Sequence, residues 1–212
     1  MTNASVKNYG WDEDVPESCN YITPNLIQEV RKISNAGARI LDIGSGNGLL
    51  CNDLKTEGYN TVGVELDQKG VELSRQSFPN IPFYNFSVEE TPDRLLEAEK
   101  IFNVVVSTEV IEHLYAPHLL PIYASKCLVE GGHLVISTPY HGYFKNLALS
   151  VFNKWDFHHT PLWHGGHVKF WSKATITTLL EKNGFEVVGF RGAGRFPYMW
   201  KSMIIIARKI GS

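Results

Sequence analysis

Residues 40–48 read Ile-Leu-Asp-Ile-Gly-Ser-Gly-Asn-Gly, and no other segment of the chain constrains its fold as much. An apolar run at 38–43 ends in Gly44, Gly46 and Gly48, one at every second position. A buried strand that runs into a glycine turn lets a ligand lie directly on the main chain, because a side chain there would block its approach. In an open α/β sheet such a turn sits in the crevice beyond the carboxyl end of the first strand, where ligands bind. A tight strand-to-helix turn that binds nothing is the competing reading.

The spacing separates ligand classes. A dinucleotide fingerprint, G-x-G-x-x-G, needs its third glycine at position 49, which is Leu49. This opposes an NAD-dependent dehydrogenase. A phosphate loop needs Gly-Lys-Ser/Thr at its end, whereas Gly48 is followed by Leu49 and Leu50. The D-x-G-x-G-x-G string from Asp42 to Gly48 resembles motif I of class I S-adenosylmethionine-dependent methyltransferases. That resemblance implies an S-adenosyl-L-methionine site around Asp42, Gly44, Ser45, Gly46 and Gly48.

The rest of the chain alternates in a way that suits such a site. Strands are expected at 38–43, 61–66, 82–86, 101–107 and 133–138, mostly as continuous apolar runs of the kind covered on both faces. Helices are expected at 23–35, 47–57, 68–77, 90–98, 110–128 and 172–183, the last between Ser172 as N-cap and Gly184 as its stop. The alternation implies right-handed βαβ units and a parallel sheet. Residues 185–192 and 202–208 are two further strands with no helix between them, hence antiparallel neighbours. The expected fold is α/β: a Rossmann-like, seven-stranded, mostly parallel sheet with helices on both faces and a C-terminal antiparallel hairpin. It resembles the methyltransferase sheet over roughly residues 38–208.

At 212 residues the chain suits a single domain, 1–212, with 1–22 as an N-terminal cap segment and 139–171 as a lid or substrate insertion. Net charge is −2, so no broad basic field is expected, and this counts against long nucleic acid as a partner. Cys19, Cys51 and Cys127 are too few and too scattered for a disulfide framework or a metal pair. The N-terminus does not read as a signal peptide, and no apolar run approaches the ~20 residues of a membrane span. The expectation is a cytoplasmic protein.

Glu65 closes the second strand, about twenty positions past the glycine turn, where an acid accepts hydrogen bonds from a nucleoside's ribose diol. The alternative is an ordinary exposed strand-end acid. In the methyltransferase family this position binds the cofactor ribose, with Leu66 beside it, and Asp67 is near enough to share the role. After the third strand, Ser87 stands where the family usually has Asp, followed by Val88 beside the adenine. The Phe102-Asn103-Val104-Val105 stretch likewise departs from the family's Phe-Asp-Val-Val. Ser107 and Thr108 end the fourth strand at the same crevice.

Beyond them lie Glu109, Glu112 and His113. A helix starting near Glu109 would place all three on one face at the mouth of the crevice. Two carboxylates and an imidazole could hold Mg²⁺ or Mn²⁺. Acids that favour a helix N-terminus, with a packed histidine, are the plainer reading. The E-x-x-E-H string is similar to that of ubiquinone-biosynthesis O-methyltransferases and of small-RNA 3′-end 2′-O-methyltransferases. The latter use it, with a later histidine, to bind a divalent metal. That resemblance implies a metal at Glu109, Glu112 and His113 with a fourth ligand from the histidine-rich 139–171 segment. His167, in the run 165–171 that loosely matches the ubiquinone group, is the first choice and His164 the second. His113, His167 and His164 are then the candidate catalytic residues, through a metal or as general base.

The 139–171 segment carries five of the eight histidines and a dense set of aromatics. Phe144, Leu147, Ala148, Val151, Phe152 and Trp155 fall at helical spacing on one face. Packing of that face on the domain body is the ordinary expectation. A substrate lid, or peripheral membrane contact through 144–155, is the sharper one, although Lys145 and Lys154 are few basic residues for a membrane surface. The stretch from Tyr9, Gly10 and Trp11 through Tyr21 is expected to fold over the cofactor or to fray, and the 191–200 loop to form another wall. Together these features imply O-methylation of a small or lipid-like acceptor. Methylation of an RNA end and a non-catalytic S-adenosylmethionine-binding domain are the alternatives.

Overall fold

The strands' apolar runs divide residue by residue between two cores. Ile40, Val104, Val106, Val135, Ile204 and Ile206 point to one face of a sheet, and Leu41, Val105, Leu134, Ile136, Met203 and Ile205 to the other. Successive side chains of a strand alternate in direction, so a strand covered on both faces must be apolar throughout. Each fully buried aliphatic side chain stabilises by roughly 1.5–3 kcal/mol relative to exposure.

The structure is a computed structural model and describes residues 18–159, 161–162 and 166–211. The elements run α1 (Cys19–Ile33), β1 (Arg39–Ile43), α2 (Leu49–Thr56), β2 (Asn60–Glu65), α3 (Gln68–Ser77), β3 (Phe83–Asn85), α4 (Asp93–Ala98) and β4 (Phe102–Thr108). They continue with a 3₁₀ turn (Ile111–His113), α5 (Leu119–Cys127), β5 (Leu128–Pro139), α6 (Tyr143–Val151), α7 (Trp155–His159), α8 (Lys173–Glu181), β6 (Phe185–Ala193) and β7 (Ser202–Lys209). The sheet order is β3-β2-β1-β4-β5-β7-β6. The first five strands pair in parallel, and β7 lies antiparallel to both β5 and β6. The fold is therefore the expected seven-stranded Rossmann-like sheet with its antiparallel end. Residues of α1 and α2 pack on one face, and residues of α4, α5 and α8 on the other. Among the described residues no helix is long and apolar enough to cross a membrane.

Three expectations need correction. The helix expected over 110–128 is broken: a single 3₁₀ turn at 111–113 is followed by coil, and α5 begins at Leu119. Pro117 explains the gap, since the residue before a proline is disfavoured in helical conformation. The first helix starts at Cys19 rather than at 23, with Pro24 inside it. The aromatic face of 144–155 does not pack on the body. Phe144 is 60% exposed, Val151 and Phe152 more so, and Lys145 is the one buried residue of α6.

The α8 boundary follows the sequence closely. Ser172 caps the helix through a reciprocal box with Thr175, and Gly184 turns the chain with φ 81°.

Candidate active site

The ends of β1, β2 and β4 converge on a cavity of about 390 Å³, a size suited to a small-molecule site. Its walls include Ile43, Gly44, Glu65, Leu66, Ser87, Val88, Thr108, Glu109 and His113. Six of the expected cofactor residues thus line it: Gly44, Glu65, Leu66, Ser87, Val88 and Thr108. Asp42, Ser45, Gly46, Gly48 and Ser107 stand behind that wall. Gly44, Gly46 and Gly48 have φ of 77°, 54° and 83°, the left-handed region that glycine alone enters cheaply. A Cβ on Gly44 would come within 2.3 Å of Val110 Cγ2, so the turn has no room for a side chain.

Glu65 is buried and braces the turn. One carboxylate oxygen accepts from the Gly46 N–H at 2.8 Å and the other from the Asp67 N–H at 2.8 Å. Burial raises its pKa, and those two N–H donors partly offset the effect. Each oxygen keeps a second lone pair for a ribose hydroxyl. The Asp67 carboxylate plays a different part, capping α3 by accepting from the Lys69 N–H at 3.0 Å. The Ser87 hydroxyl accepts from the Glu89 N–H within its own turn, which leaves its proton to donate. Asp42 accepts a 3.5 Å bond from the Cys51 thiol, while its Oδ1 is buried without a partner. Burial is the main cause that pushes Asp42 up to about 7. Ser107 donates to the Ile43 carbonyl at 2.9 Å and ties β4 to β1.

Sequence reasoning missed two contributors. Asn85 bridges the ends of β2 and β3 by donating to the Glu65 and Leu66 carbonyls at 2.9 and 2.8 Å. Tyr123 of α5 lines the cavity, and its hydroxyl is buried without a hydrogen-bond partner. A tyrosine within an apolar helix reads as core, so no local signal marks it.

The acidic end of the site departs from the expected helical face. Glu109 takes φ 53°, a strained conformation for a non-glycine residue. Its carboxylate accepts from the Ser137 hydroxyl at 2.8 Å and from the Ser202 hydroxyl at 3.3 Å. Those two partners sit at the carboxyl end of β5 and the start of β7. Glu112, His113 and His167 instead come together, with one potential ligand atom from each within 4.8 Å of the others. Glu109 is not part of this group. The 3₁₀ turn presents Glu112 and His113, and the Val168 and Lys169 N–H groups bond the Glu112 carbonyl at 2.9 and 3.0 Å, which brings His167 over the turn. The His113 and His167 rings meet edge to face at 4.9 Å.

Glu112 is fully buried. Thr138 donates to its Oε2 at 3.1 Å, and Oε1 is buried with no partner, 4.0 Å from His167 Nε2. The pair reads as a salt bridge by distance alone, but the electrostatics oppose it. Burial and the neighbouring Glu109 raise Glu112 well above the ordinary carboxylate value, and burial with His113 close by lowers His167 to about 4. Neither group therefore favours its charged form. Burial likewise holds Glu109 at about 7. His164 and the stretch from Tyr9 to Trp11 lie outside the described residues. The 191–200 loop packs Trp200 against Tyr140 at 5.1 Å and Tyr198 against Phe144 at 6.1 Å.

Comparison with known proteins bears on the family and the fold. The sequence model of a methyltransferase-domain family matches residues 12–189. A ubiquinone biosynthesis O-methyltransferase of Ruegeria sp. (strain TM1040) is 30% identical over 175 residues, spanning 78% of this chain and 67% of that protein. The magnesium protoporphyrin IX methyltransferase of Synechocystis PCC 6803, solved with bound SAH, superposes with a TM-score of 0.66 at 18% identity, covering 88% of this chain and 81% of that one. An S-adenosylmethionine dependent methyltransferase from Mesorhizobium loti gives 0.64 at 16% identity, covering 86% and 96%. The chain belongs to the methyltransferase-domain family. It is an S-adenosylmethionine-dependent methyltransferase.

Proposed function

We propose that the protein methylates a hydroxyl of a small or lipid-like acceptor, with a divalent cation held by Glu112, His113 and His167. One observation carries this reading: His113 lines the cofactor cavity and also belongs to the three-residue group. The orphaned Glu112 Oε1, buried opposite His167, supports a cation between them. Two imidazoles and one carboxylate, without Glu109, suit Mn²⁺ better than the oxygen-seeking Mg²⁺. When bound, such a cation supplies Lewis acidity that lowers the pKa of an acceptor hydroxyl.

The chain's own residues do the rest. Glu65 orients the cofactor ribose, and Leu66, Phe86 and Val88 cover the adenine with apolar surface. The sulfonium methyl is already activated, so the protein chiefly aligns the acceptor oxygen and excludes water. His113, on the cavity wall, would hold the cation on the side of the group that faces the cavity, so it serves as a ligand rather than as general base. His167, lowered to about 4, is a poor base at neutral pH but holds the neutral form that ligates a metal. Glu109 shapes the mouth of the cavity through Ser137 and Ser202 rather than by ligation. The exposed apolar side chains of 144–157 suit an acceptor with an apolar tail, or peripheral contact with the membrane that carries it. The Ruegeria relative's name points the same way.

Calorimetry and turnover on H113A and E112Q test this reading. S-adenosylmethionine affinity should stay within about threefold of wild type, while transfer to a phenolic acceptor should fall by at least ~10²-fold, the usual yield of assisted proton removal. Equal loss of cofactor affinity would assign both residues to cofactor binding. Transfer to the 3′ end of a short RNA but not to phenols would replace the acceptor class.

A further inference from the structure

A second group of histidines lies outside the set discussed above. His141, just past the end of β5, meets His158 and His159 of α7, with one ring nitrogen from each within 4.8 Å of the others. The His141 and His159 rings stack at 5.6 Å, and His158 stands at 4.8 Å from His159 and 6.0 Å from His141. Histidines can gather simply as packed rings. Here the polar atoms oppose that reading: Nε2 of His141 and Nε2 of His159 are both buried with no hydrogen-bond partner. A buried polar atom left unsatisfied costs about 1–3 kcal/mol, and two in one cluster call for a shared ligand.

We propose that His141, His158 and His159 form a distinct binding site for a divalent transition cation of the zinc class, which ties α7 to the end of β5. The donor set selects the ion. Three imidazoles with no carboxylate in the group disfavour Mg²⁺ and Ca²⁺, which seek oxygen, and suit Zn²⁺ or Co²⁺ with a fourth position left for water or another ligand. Tetrahedral ligation with Zn–N of about 2.0–2.1 Å needs nitrogens roughly 3.3 Å apart. Rotation of the three rings from a spread of at most 4.8 Å supplies that approach.

The surroundings already hold the ligands in place. The main chain is fixed on both sides: the His141 backbone N–H donates to the Trp171 carbonyl at 3.2 Å, and the His158 backbone N–H donates to the Lys154 carbonyl at 3.0 Å. Phe170 sets its ring against both His141 and His159 at 5.2 and 5.0 Å, and Trp155 covers His159 at 4.2 Å. These ring contacts restrict how the three imidazoles turn, as the outer sphere of a metal site does. All three imidazoles are held toward the neutral form that ligates metal, chiefly by burial. Lys145 opposes a cation here, since its charge reaches all three rings. Its ammonium is engaged by the Tyr140 and Lys201 carbonyls and faces the Glu109 carboxyl.

His159 and His167 sense each other's charge, so the two groups are neighbours and must be counted separately. The test uses untagged full-length protein, stripped by chelator and titrated with Co²⁺, Zn²⁺ and Mg²⁺ by calorimetry, with the visible Co²⁺ spectrum as the reporter of geometry. H113Q/H167Q removes the first group. It should still take up one equivalent of Co²⁺ or Zn²⁺ with a four-coordinate spectrum, and Mg²⁺ should not compete. H141Q/H158Q should weaken that equivalent more than about a hundredfold, beyond the ~10–100-fold expected of an outer-sphere partner. No saturable Co²⁺ or Zn²⁺ uptake by folded H113Q/H167Q overturns the proposal. So does wild-type affinity and stoichiometry in H141Q/H158Q. Should H113Q/H167Q fail to fold, stoichiometry in wild type against H141Q/H158Q decides: one equivalent lost supports the site, none lost refutes it. Should H141Q/H158Q fail to fold, H158Q alone is titrated against the same criterion. Loss of methyl transfer in H113Q/H167Q bears on the first group alone.

Discussion

At Asp42 the glycine turn carries a charge problem that its sequence motif conceals. Burial pushes the carboxyl from 3.8 up to about 7, so the folded protein keeps a proton there that the unfolded chain loses near pH 4. Between those values the native state binds more protons, and wild-type stability falls as pH rises from about 4 to about 7. The carboxamide of D42N does not titrate. The melting temperature of D42N minus that of wild type should therefore climb across this window and level off above it. The full shift corresponds to at most about 4 kcal/mol at 1.36 kcal/mol per unit. A difference that stays flat from pH 4 to 8 would show that Asp42 is ionised in the fold. Gly44 poses a steric test at the same turn. G44A forces a Cβ to φ 77° and against Val110. The left-handed backbone costs about 1–2 kcal/mol and the overlap about 1–3 more. Denaturant titration should show V110A recovering the second part only. Full recovery would mean that the backbone conformation carries no strain.

Among the elements, α6 is the one whose attachment is least expected. Its apolar residues face outward, and its buried residue is Lys145, whose ammonium donates to the Tyr140 carbonyl at 2.8 Å and the Lys201 carbonyl at 3.2 Å. Removing it takes the donor from the Tyr140 carbonyl, at about 1–3 kcal/mol, while the Lys201 carbonyl keeps the Tyr140 N–H at 3.0 Å. In K145A, amide exchange over 143–151 should quicken by about tenfold or more while the β1–β4 amides stay protected; unchanged exchange would mean that other contacts hold the helix. A lysine in an apolar stretch reads as a solvent-side charge, so nothing local announces this anchor. The strands were legible for the opposite reason. Burial on both faces demands an unbroken apolar run in the inner strands, and each of the seven appears within a few residues of its expected span. The turn of Gly44 to Gly48 and the place of Glu65 at the end of β2 were legible because both depend on neighbours close in sequence. Glu109 was not: Ser137 and Ser202, which hold it, come from other strands, and the break before Pro117 removed the helix that would have aligned it with Glu112. The meeting of His141 with His158 and His159 depends on tertiary placement in the same way.

For the molecule as a whole, charge and apolar surface argue for different partners, and the apolar surface is the stronger. A net charge of −2 provides little steering toward polyanions. Phe144, Leu147, Val151, Phe152, Trp155 and Phe157 are all exposed, the last at 86%, and Tyr198 extends the patch from the loop before β7. The buried side of the same helix reaches toward the candidate site through Lys145, whose charge acts on the Glu109 carboxyl of the cavity lining. The proposed function predicts that an acceptor whose hydroxyl reaches His113 lays its apolar tail on α6. Each methylene so buried contributes about 0.8 kcal/mol, which is roughly fourfold in KM. Across a series of phenolic acceptors with lengthening alkyl chains, KM should fall by about that factor per added methylene until the patch is covered, with kcat nearly constant. F144S/F152S should flatten this slope and leave the shortest acceptor's kcat/KM within about twofold. These side chains touch no reacting group, so only binding common to ground and transition states is lost. A KM that ignores tail length in wild type would remove α6 from the acceptor path and leave its apolar face to a membrane surface. Binding to zwitterionic phosphatidylcholine vesicles of no net charge, insensitive to salt because so little net charge is involved, would then be the expected behaviour.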